Sequence, residues 1–471
     1  MPILELRILP PLAIGRLGAA EEPLEAFDLE TDPARPLDFR RIVPRTSFEL
    51  DRESGRILRA YVPPTIRFKD ANKKIRPVAP FLEVFVRTSE HPDRLQPLTT
   101  SLLRHEDLGL GHLHWDIELG NIKLFRRTGN KHDQIHATLF GLQDHARHPM
   151  LGHCDHFLPG KTLPLGHVQF VAPSAQFPEI RLRFTPAAGL VYGSRTQRLV
   201  PNPDQDGVVE LKPDPIIDRD ELVLYDPSKD WLGYTEGTAP FLTNPAGIYA
   251  GYPGKNGQQV SWGYLDDECD GVVRVSLTLH DGSVMSAQGV IGAGPPAFAP
   301  DTLPVRVISD ELEQLLYGPD VAAESVSLDD ATELVLRALE SVRLMNTAVM
   351  NGNAVNGRLN VASTMVRQNT NDFERYYEPI AATSLVDNLA LRALHERVFS
   401  ALAAGGATWF AQTLRHPEEI GDLSSDALRK MPALMRGADG RSLTLTRRHI
   451  AMVAKAARNA MFAGPDTPGD Q

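Results

Sequence analysis

Imidazole, thiolate and carboxylate side chains crowd one short stretch of this chain, KHDQIHATLFGLQDHARHPMLGHCDHF, residues 131–157. Ten of the fifteen histidines lie between His105 and His167. Within the stretch, His132 and His136 are four apart and His145 and His148 three apart, ahead of the run His153, Cys154, Asp155 and His156. Such donors ligate zinc, copper or iron, and His132, His136, His153 and His156 are the ligands this pattern nominates for a transition metal. The spacing matches no zinc finger, and no H-E-x-x-H occurs. A polar, histidine-rich surface loop accounts for the same residues.

The segment Ser261–Asp301 offers two further chemistries. Asp266, Asp267, Glu268 and Asp270 precede Gly271, as in a calcium loop or a catalytic carboxylate pair. An Asx-type turn leading into a strand explains them with less. The exit GVIGAGPPAFAPD has the outline of a dinucleotide phosphate loop, which requires a helix to begin there. Pro295, Pro296, Pro300 and Pro304 follow, and the last two would break that helix, so a proline-stiffened strand exit is expected. Farther on, MNTAVMNGNAVNGRLN suits a helix stop and a tight polar loop. QNTNDFERYYEP then places Asp372, Glu374, Arg375, Tyr376 and Tyr377 where they could orient an amino acid or another zwitterion. An amphipathic connector with half-buried tyrosines is the plainer reading. There is no P-loop and no nucleophile elbow.

The elements that must hold these groups change character along the chain. Strand alternation is clear in LHWDIELGNIKLF, with Leu113, Trp115, Ile117 and Leu119 on one face, and in EIRLRF, with Ile180, Leu182 and Phe184. Val273, Val275, Leu277 and Leu279 alternate up to His280-Asp281-Gly282, where Asp-Gly predicts a tight hairpin with both turn positions at positive φ. After about residue 305 the apolar period becomes helical. A first helix starts at Ser327 as N-cap; others are expected in residues 384–406, 423–435 and 445–462. Strands first and helices after predict an α+β fold: a β-rich domain of sandwich-like antiparallel sheets over 1–310 and a mainly helical domain over 311–471.

Composition narrows the partners. With 60 acidic against 49 basic residues the formal net charge is −11, which argues against nucleic acid and anionic membrane surfaces. No apolar run is long enough to span a bilayer, and Glu5, Arg7 and Arg16 interrupt any signal-like opening. A cytoplasmic protein with a small-molecule or peptide substrate is expected, with a homo-oligomer left open. Cys154 and Cys269, the two cysteines, read as free thiols.

Five stretches in order resemble one family. ILPPLAIGRLGAAEEPLEAF, IRFKDANKKIRPVAPFLEVF, LHWDIELGNIKLF, WGYLDDECDGVVRVSLTLHDG with its GPPAFAPD exit, and RKMPALMRGADGRSLTLTRRHIAMVAKAARNAMF look like segments of the lysine ε-oxidase and glycine oxidase (LodA-like) quinoproteins. The resemblance runs over roughly residues 1–310 and is faint beyond. It implies an α+β fold and oxidative deamination of an amine on an amino acid or peptide. In that family the electrophile is cysteine tryptophylquinone, a cysteine cross-linked to an oxidised tryptophan in the C-terminal half. Here Trp409 stands in that half, but no cysteine follows Cys269. The sequence therefore departs from the family at its cofactor, and Trp409, Asp372, Tyr376 and Tyr377 are the residues nominated for the chemistry. A transition metal in place of the quinone, or a non-catalytic scaffold that binds an amino-acid-like ligand or a protein partner, are the two outcomes expected.

Overall fold

The computed structural model describes residues 2–30, 41–201, 209–214, 216–226, 228, 251–253, 259–261, 263–296, 303–341, 396–404, 408–420, 430–432 and 444–463. The chain forms two compact units, one of residues 1–27 and 44–297, the other of residues 28–43 and 298–471. The fold is α+β, with the strands concentrated in the first unit and the longer helices in the second.

In chain order the strands begin with β1 (Ile3–Leu9) and β2 (Leu12–Arg16), then the short pairs β3 (Phe27–Glu30) with β4 (Arg41–Pro44) and β5 (Ser47–Leu50) with β6 (Ile57–Tyr61). There follow β7 (Phe81–Thr88), β8 (His91–Pro97), β9 (Leu113–Asn121), β10 (Ile135–Leu142), β11 (Arg147–Gly152), β12 (Leu163–Phe170) and β13 (Arg181–Thr185). Four short strands, β14 (Val191–Tyr192), β15 (Gln197–Pro201), β16 (Val209–Pro213) and β17 (Gly251–Pro253), lead to β18 (Gln259–Ser261), β19 (Leu265–Asp266), β20 (Cys269–Thr278) and β21 (Val284–Gly294). Helices α1 (Thr100–His105) and α2 (Lys123–Thr128) belong to this unit.

Two sheets build its core. One is antiparallel, in the order β1-β7-β13-β12-β11 with β8 also on β7; the other runs β10-β9-β20-β21-β2. The alternating residues fill the space between them: Leu113, Trp115, Ile117, Val273, Val275 and Leu277 from the second sheet and Leu82, Val84, Phe170, Leu182 and Phe184 from the first are fully buried in one cluster. This is the period-2 pattern of strands that face a core on one side. The expected antiparallel sheets are present, with one parallel pair added at an edge. β2 pairs with β21 in parallel, Leu12 opposite Val290 through Arg16 opposite Gly294. β1 lies in the first sheet and β2 in the second, so the chain crosses between sheets at Pro10-Pro11, where β2 joins the edge in the direction of β21.

The β20–β21 hairpin forms where expected, but its turn is longer than Asp-Gly alone would make it. The Leu279 amide donates to the Ser283 carbonyl (2.8 Å) and Gly282 to Leu279 (3.0 Å). Only Gly282 takes a positive φ, 81°, while Asp281 uses its Oδ1 to accept from the Ser283 amide and hydroxyl. This is a turn followed by a left-handed glycine rather than a two-residue turn with both positions at positive φ.

The second unit has its own apolar cluster. Helix α4 (Leu328–Glu340) and the C-terminal helix Arg447–Ala463 pack through Leu334, Val335, Ala338, Ile450, Val453 and Ala457. Ser327 caps α4 by accepting from the Asp330 amide at 3.1 Å, as its type and position require. Helix α3 (Ile308–Tyr317) joins them through Arg337–Asp310 (3.1 Å) and Arg448–Glu313 (3.0 Å). Residues 396–403 are helical. The rest of the helix expected over 384–406 and most of that over 423–435 lie outside the described residues. Among the described residues no helix is long and apolar enough to cross a membrane.

Candidate functional site

Two constellations nominated by the sequence meet at the Asn121 end of the five-stranded sheet. Asn121 is opposite Ile135, and Gly120 is opposite both His136 on β10 and Asp270 on β20. The histidine segment and the acidic turn, more than a hundred residues apart in sequence, are thereby flanks of one edge of the sheet.

On the histidine flank, the four nominated residues divide into two kinds. His136 and His153 are joined through their backbones, each amide donating to the other's carbonyl (3.1 and 3.0 Å), and the His153 ring stands edge-on to Phe157 at 6.0 Å. His132 and His156 face carboxylates. His132 Nδ1 is 2.6 Å from Asp155 Oδ2, and His156 Nδ1 is 2.8 Å from Asp133 Oδ1. Asp133 is buried, and its second oxygen accepts from the Thr128 hydroxyl at 2.5 Å. The His132 contact holds the Asp155 carboxyl below its ordinary value. An ionised carboxylate only accepts, so in each contact Nδ1 is the donor and Nε2 is the nitrogen turned away from the carboxylate. The two rings lie 5.7 Å apart and 34° from coplanar. Carboxylate-oriented imidazoles with a free Nε2 have the arrangement found behind metal-bound histidines. Among the described residues, however, no three or more His, Cys, Asp or Glu side chains are grouped to hold a metal ion. The other histidines of the segment serve the fold: His145 Nδ1 meets the Phe170 carbonyl at 3.0 Å, and His148 Nε2 meets Asp144 at 2.8 Å.

On the acidic flank, the four acids have different fates. Asp266 and Glu268 both grip the ammonium of Lys123, Asp266 at 2.7 and 2.9 Å. Asn121 adds a hydrogen bond from Nδ2 to the Asp266 carbonyl (2.9 Å), and the Glu268 amide donates to Asp266 Oδ1 at 3.3 Å, the Asx geometry expected of the turn. Burial and Asp266 push Glu268 up, while Lys123 pulls it back. Asp270 points to solvent. Asp267 is fully buried; its Oδ2 accepts from the amides of Gly189 (3.1 Å) and Leu190 (3.0 Å), and its Oδ1 has no hydrogen-bond partner among the described residues. Desolvation, offset in part by the Leu190 amide, raises its pKa from 3.8 to about 7. Sequence reading missed Lys123, which sits 143 residues from Asp266 and on a separate helix. The available signal was its place directly after the alternating strand.

The one tryptophan whose side chain is described, Trp115, is remote from both thiols. Both thiols are buried and free, Cys154 raised to about 11 and Cys269 to about 12, in each case first by desolvation. Cys269 Sγ lies 3.5 Å from the Leu165 carbonyl. Trp115 is opposite Val275, six residues along β20 from Cys269, which is about 20 Å at the rise of a strand. Cys154 follows the His153–His136 bridge, and His136 is opposite Gly120, five residues from Trp115. That is roughly 16 Å along β9. Trp231 and Trp262 lie outside the described residues. Trp409 is within the 3₁₀ turn Thr408–Thr413, and its side chain is outside what is described. Asp372, Tyr376 and Tyr377 lie outside the described residues as well.

No protein-family model matches this chain, and no curated protein matches it. Among solved structures it is similar to the L-Lys ε-oxidase from Marinomonas mediterranea. The Schiff base intermediate of that enzyme with L-Lys matches with a TM-score of 0.43 and 13% identity over 97% of this chain and 61% of the oxidase. A second structure of the same oxidase gives 0.42 and 12% over the same shares. The chain thus spans about three-fifths of the oxidase's length.

Proposed function

We propose that this chain is an oxidoreductase acting on an amine of an amino acid or peptide, on the scaffold of the lysine ε-oxidase type but without its tryptophylquinone. Support comes from where the resembling stretches lie. The described residues of these stretches, 8–27, 66–85, 113–125 and 263–296, are scattered in sequence yet adjoin in space. The Arg16 amide donates to Val78 (3.1 Å), Leu17 to Gly294 (3.0 Å) and Ala20 to Ile75 (2.8 Å), and β9 pairs with β20 over eight residue pairs. A resemblance that gathers into one contiguous block is what shared architecture produces.

The observation that carries the redox half of the reading is the pair of carboxylate-oriented imidazoles. His132 and His156, backed by Asp155 and Asp133, would hold a transition metal through Nε2, with His136 and His153 on the neighbouring bridge. A transition metal held there would supply an electron-accepting centre in place of the quinone. The net reaction balances as amine, dioxygen and water giving aldehyde, ammonia and hydrogen peroxide, two electrons and two protons passing from the α-C–H and N–H of the amine to oxygen and water then releasing ammonia. Asp133 and Asp155 keep the imidazole protons on Nδ1 and so fix which nitrogen is the donor. Asp372, Tyr376, Tyr377 and Trp409 are proposed as the groups that meet the substrate.

Metal analysis and a visible spectrum of the purified protein, with peroxide release on a panel of amino acids and N-terminally blocked peptides, test this. Stoichiometric metal lost in His132→Ala and His156→Ala, together with peroxide, supports it. A colourless, metal-free protein that releases no peroxide refutes it. An intact mass short of a few hydrogens, or with added oxygen, refutes the absence of a quinone. The rival reading, a non-catalytic scaffold that binds an amino-acid-like ligand or a protein partner, is favoured by the lack of a third donor grouped with His132 and His156 among the described residues.

A further inference from the structure

The outer face of the six-stranded sheet carries cations that the proposed chemistry does not use. Arg147 on β11 is opposite Gln169 on β12, which is opposite Arg183 on β13. Residues opposed in register stand on one face of a sheet, and His167, two before Gln169, shares it. The opposite face is core, where Val168, Phe170, Leu182 and Phe184 are fully buried. With strands about 4.8 Å apart, the Cα atoms of Arg147 and Arg183 are roughly 10 Å apart, close enough for two arginine side chains to converge on one small group.

Gln169 closes the row from above. Its Nε2 donates to the carbonyls of Arg52 (3.0 Å), His145 (3.0 Å) and Asp51 (3.3 Å), which ties the turn after β5 over β12. Arg52 is thereby brought to the group, but its guanidinium is already taken by Glu21 (3.0 Å) and Glu22 (2.5 Å). Arg147, Arg183 and His167 form no ion pair among the described residues, and Arg183 Nε is buried without a hydrogen-bond partner. The Arg183 guanidinium rests over the Phe81 ring at 5.1 Å. The cations press on one another. His167 is driven down to about 3 by burial and then by Arg147, Arg183 and Arg52, and Arg183 falls to about 10 through burial, with Glu22 opposing the fall and Arg147 adding to it. Glu21 and Glu22 are the acids that act on Arg147, and Glu22 on Arg183, but both are ion-paired with Arg52. A buried guanidinium nitrogen such as Arg183 Nε is costly to leave unpaired, Arg147 is exposed beside it in the row, and the guanidinium fork fits the oxygens of a phosphate or carboxylate.

We propose that Arg147, Arg183 and His167 form a binding site for a small oxyanion, a phosphate group or a carboxylate, on the outer face of the sheet beside Gln169. The anion neutralises the two guanidinium groups and relieves their repulsion. This site is independent of the amine chemistry and stands whether or not that reading holds.

The full chain is titrated with inorganic phosphate, and in parallel with sulfate and acetate, at constant ionic strength against chloride. Thermal midpoint and calorimetric heat are the readouts. A saturable rise with phosphate or with acetate is expected, and whichever binds more tightly assigns the group recognised. Arg147→Gln, on an exposed side chain, should weaken binding at least tenfold, and Arg183→Met should abolish it. If Arg183→Met does not fold, His167→Gln serves as the second variant, with a weakening expected there too. Binding should also raise the His167 pKa, read from its imidazole resonances. No saturable response to any of the anions, or the same affinity in wild type and Arg147→Gln, overturns the proposal.

Discussion

Asp267→Asn should make the β-rich unit more stable as the solution becomes more alkaline, relative to wild type. Asp267 is sealed among Gly189, Leu190 and the β14–β19 pair, with two amides on Oδ2 and, among the described residues, nothing on Oδ1. Its pKa rises from 3.8 to about 7, with burial the largest cause. A raised acid pKa means that the folded chain binds the proton more tightly than the unfolded one. Below the unfolded value both states are protonated and the group is neutral in the balance. Between that value and about 7 the unfolded chain ionises first, so wild-type stability falls as pH rises, by up to about 1.4 kcal/mol per pH unit. Above about 7 the penalty, of order 4 kcal/mol for a shift of roughly three units, is fully present. Asparagine keeps an oxygen for the two amides and carries no charge. The stability difference, variant minus wild type, should therefore grow by about 3 kcal/mol between pH 5 and pH 8 and then level off. Urea unfolding of both proteins at several pH values measures it, and subtraction cancels every other titrating group. A difference that stays constant within about 0.5 kcal/mol over that range would falsify the assignment of Asp267 as a buried, proton-holding acid.

Three more outcomes are expected. Lys123→Met removes the cation shared by Asp266 and Glu268, and urea unfolding should show a loss of about 2–4 kcal/mol, partly restored in the double variant with Glu268→Gln. Gly271→Ala places a Cβ 2.0 Å from the Glu118 carbonyl, so strand β20 should no longer close against β9, seen as lost solubility or a destabilisation of more than 3 kcal/mol. Cys154 and Cys269, raised to about 11 and 12, should resist a thiol reagent at pH 8 in the folded protein and react at once in denaturant; fast labelling of either in the native state would contradict their burial.

The sequence by itself determined what depends on neighbours along the chain. Alternation in residues 113–119 and 273–277 gave strands with a core face, because period-2 spacing turns every second side chain to one side. The run from Ser327 gave an N-cap and a helix, because the hydroxyl must satisfy an amide within one turn. The acids of 266–268 suggested an Asx turn, and the turn is there. The histidines of 131–157 were legible as a group, but not their division into a backbone bridge, two carboxylate pairs and two structural contacts.

Only the tertiary structure decided pairings between distant segments. It placed Lys123 between Asp266 and Glu268, joined β2 to β21 in parallel, and set Arg147, Gln169 and Arg183 in one row. Equally, Asp266, Asp267 and Asp270 are the same residue type within five positions, yet one is ion-paired, one is buried and one is solvated. Residue type states what a side chain is able to do. Strand register and burial set its partner and its dielectric surroundings, and those fix its charge; they arise from contacts that no local pattern in the chain encodes.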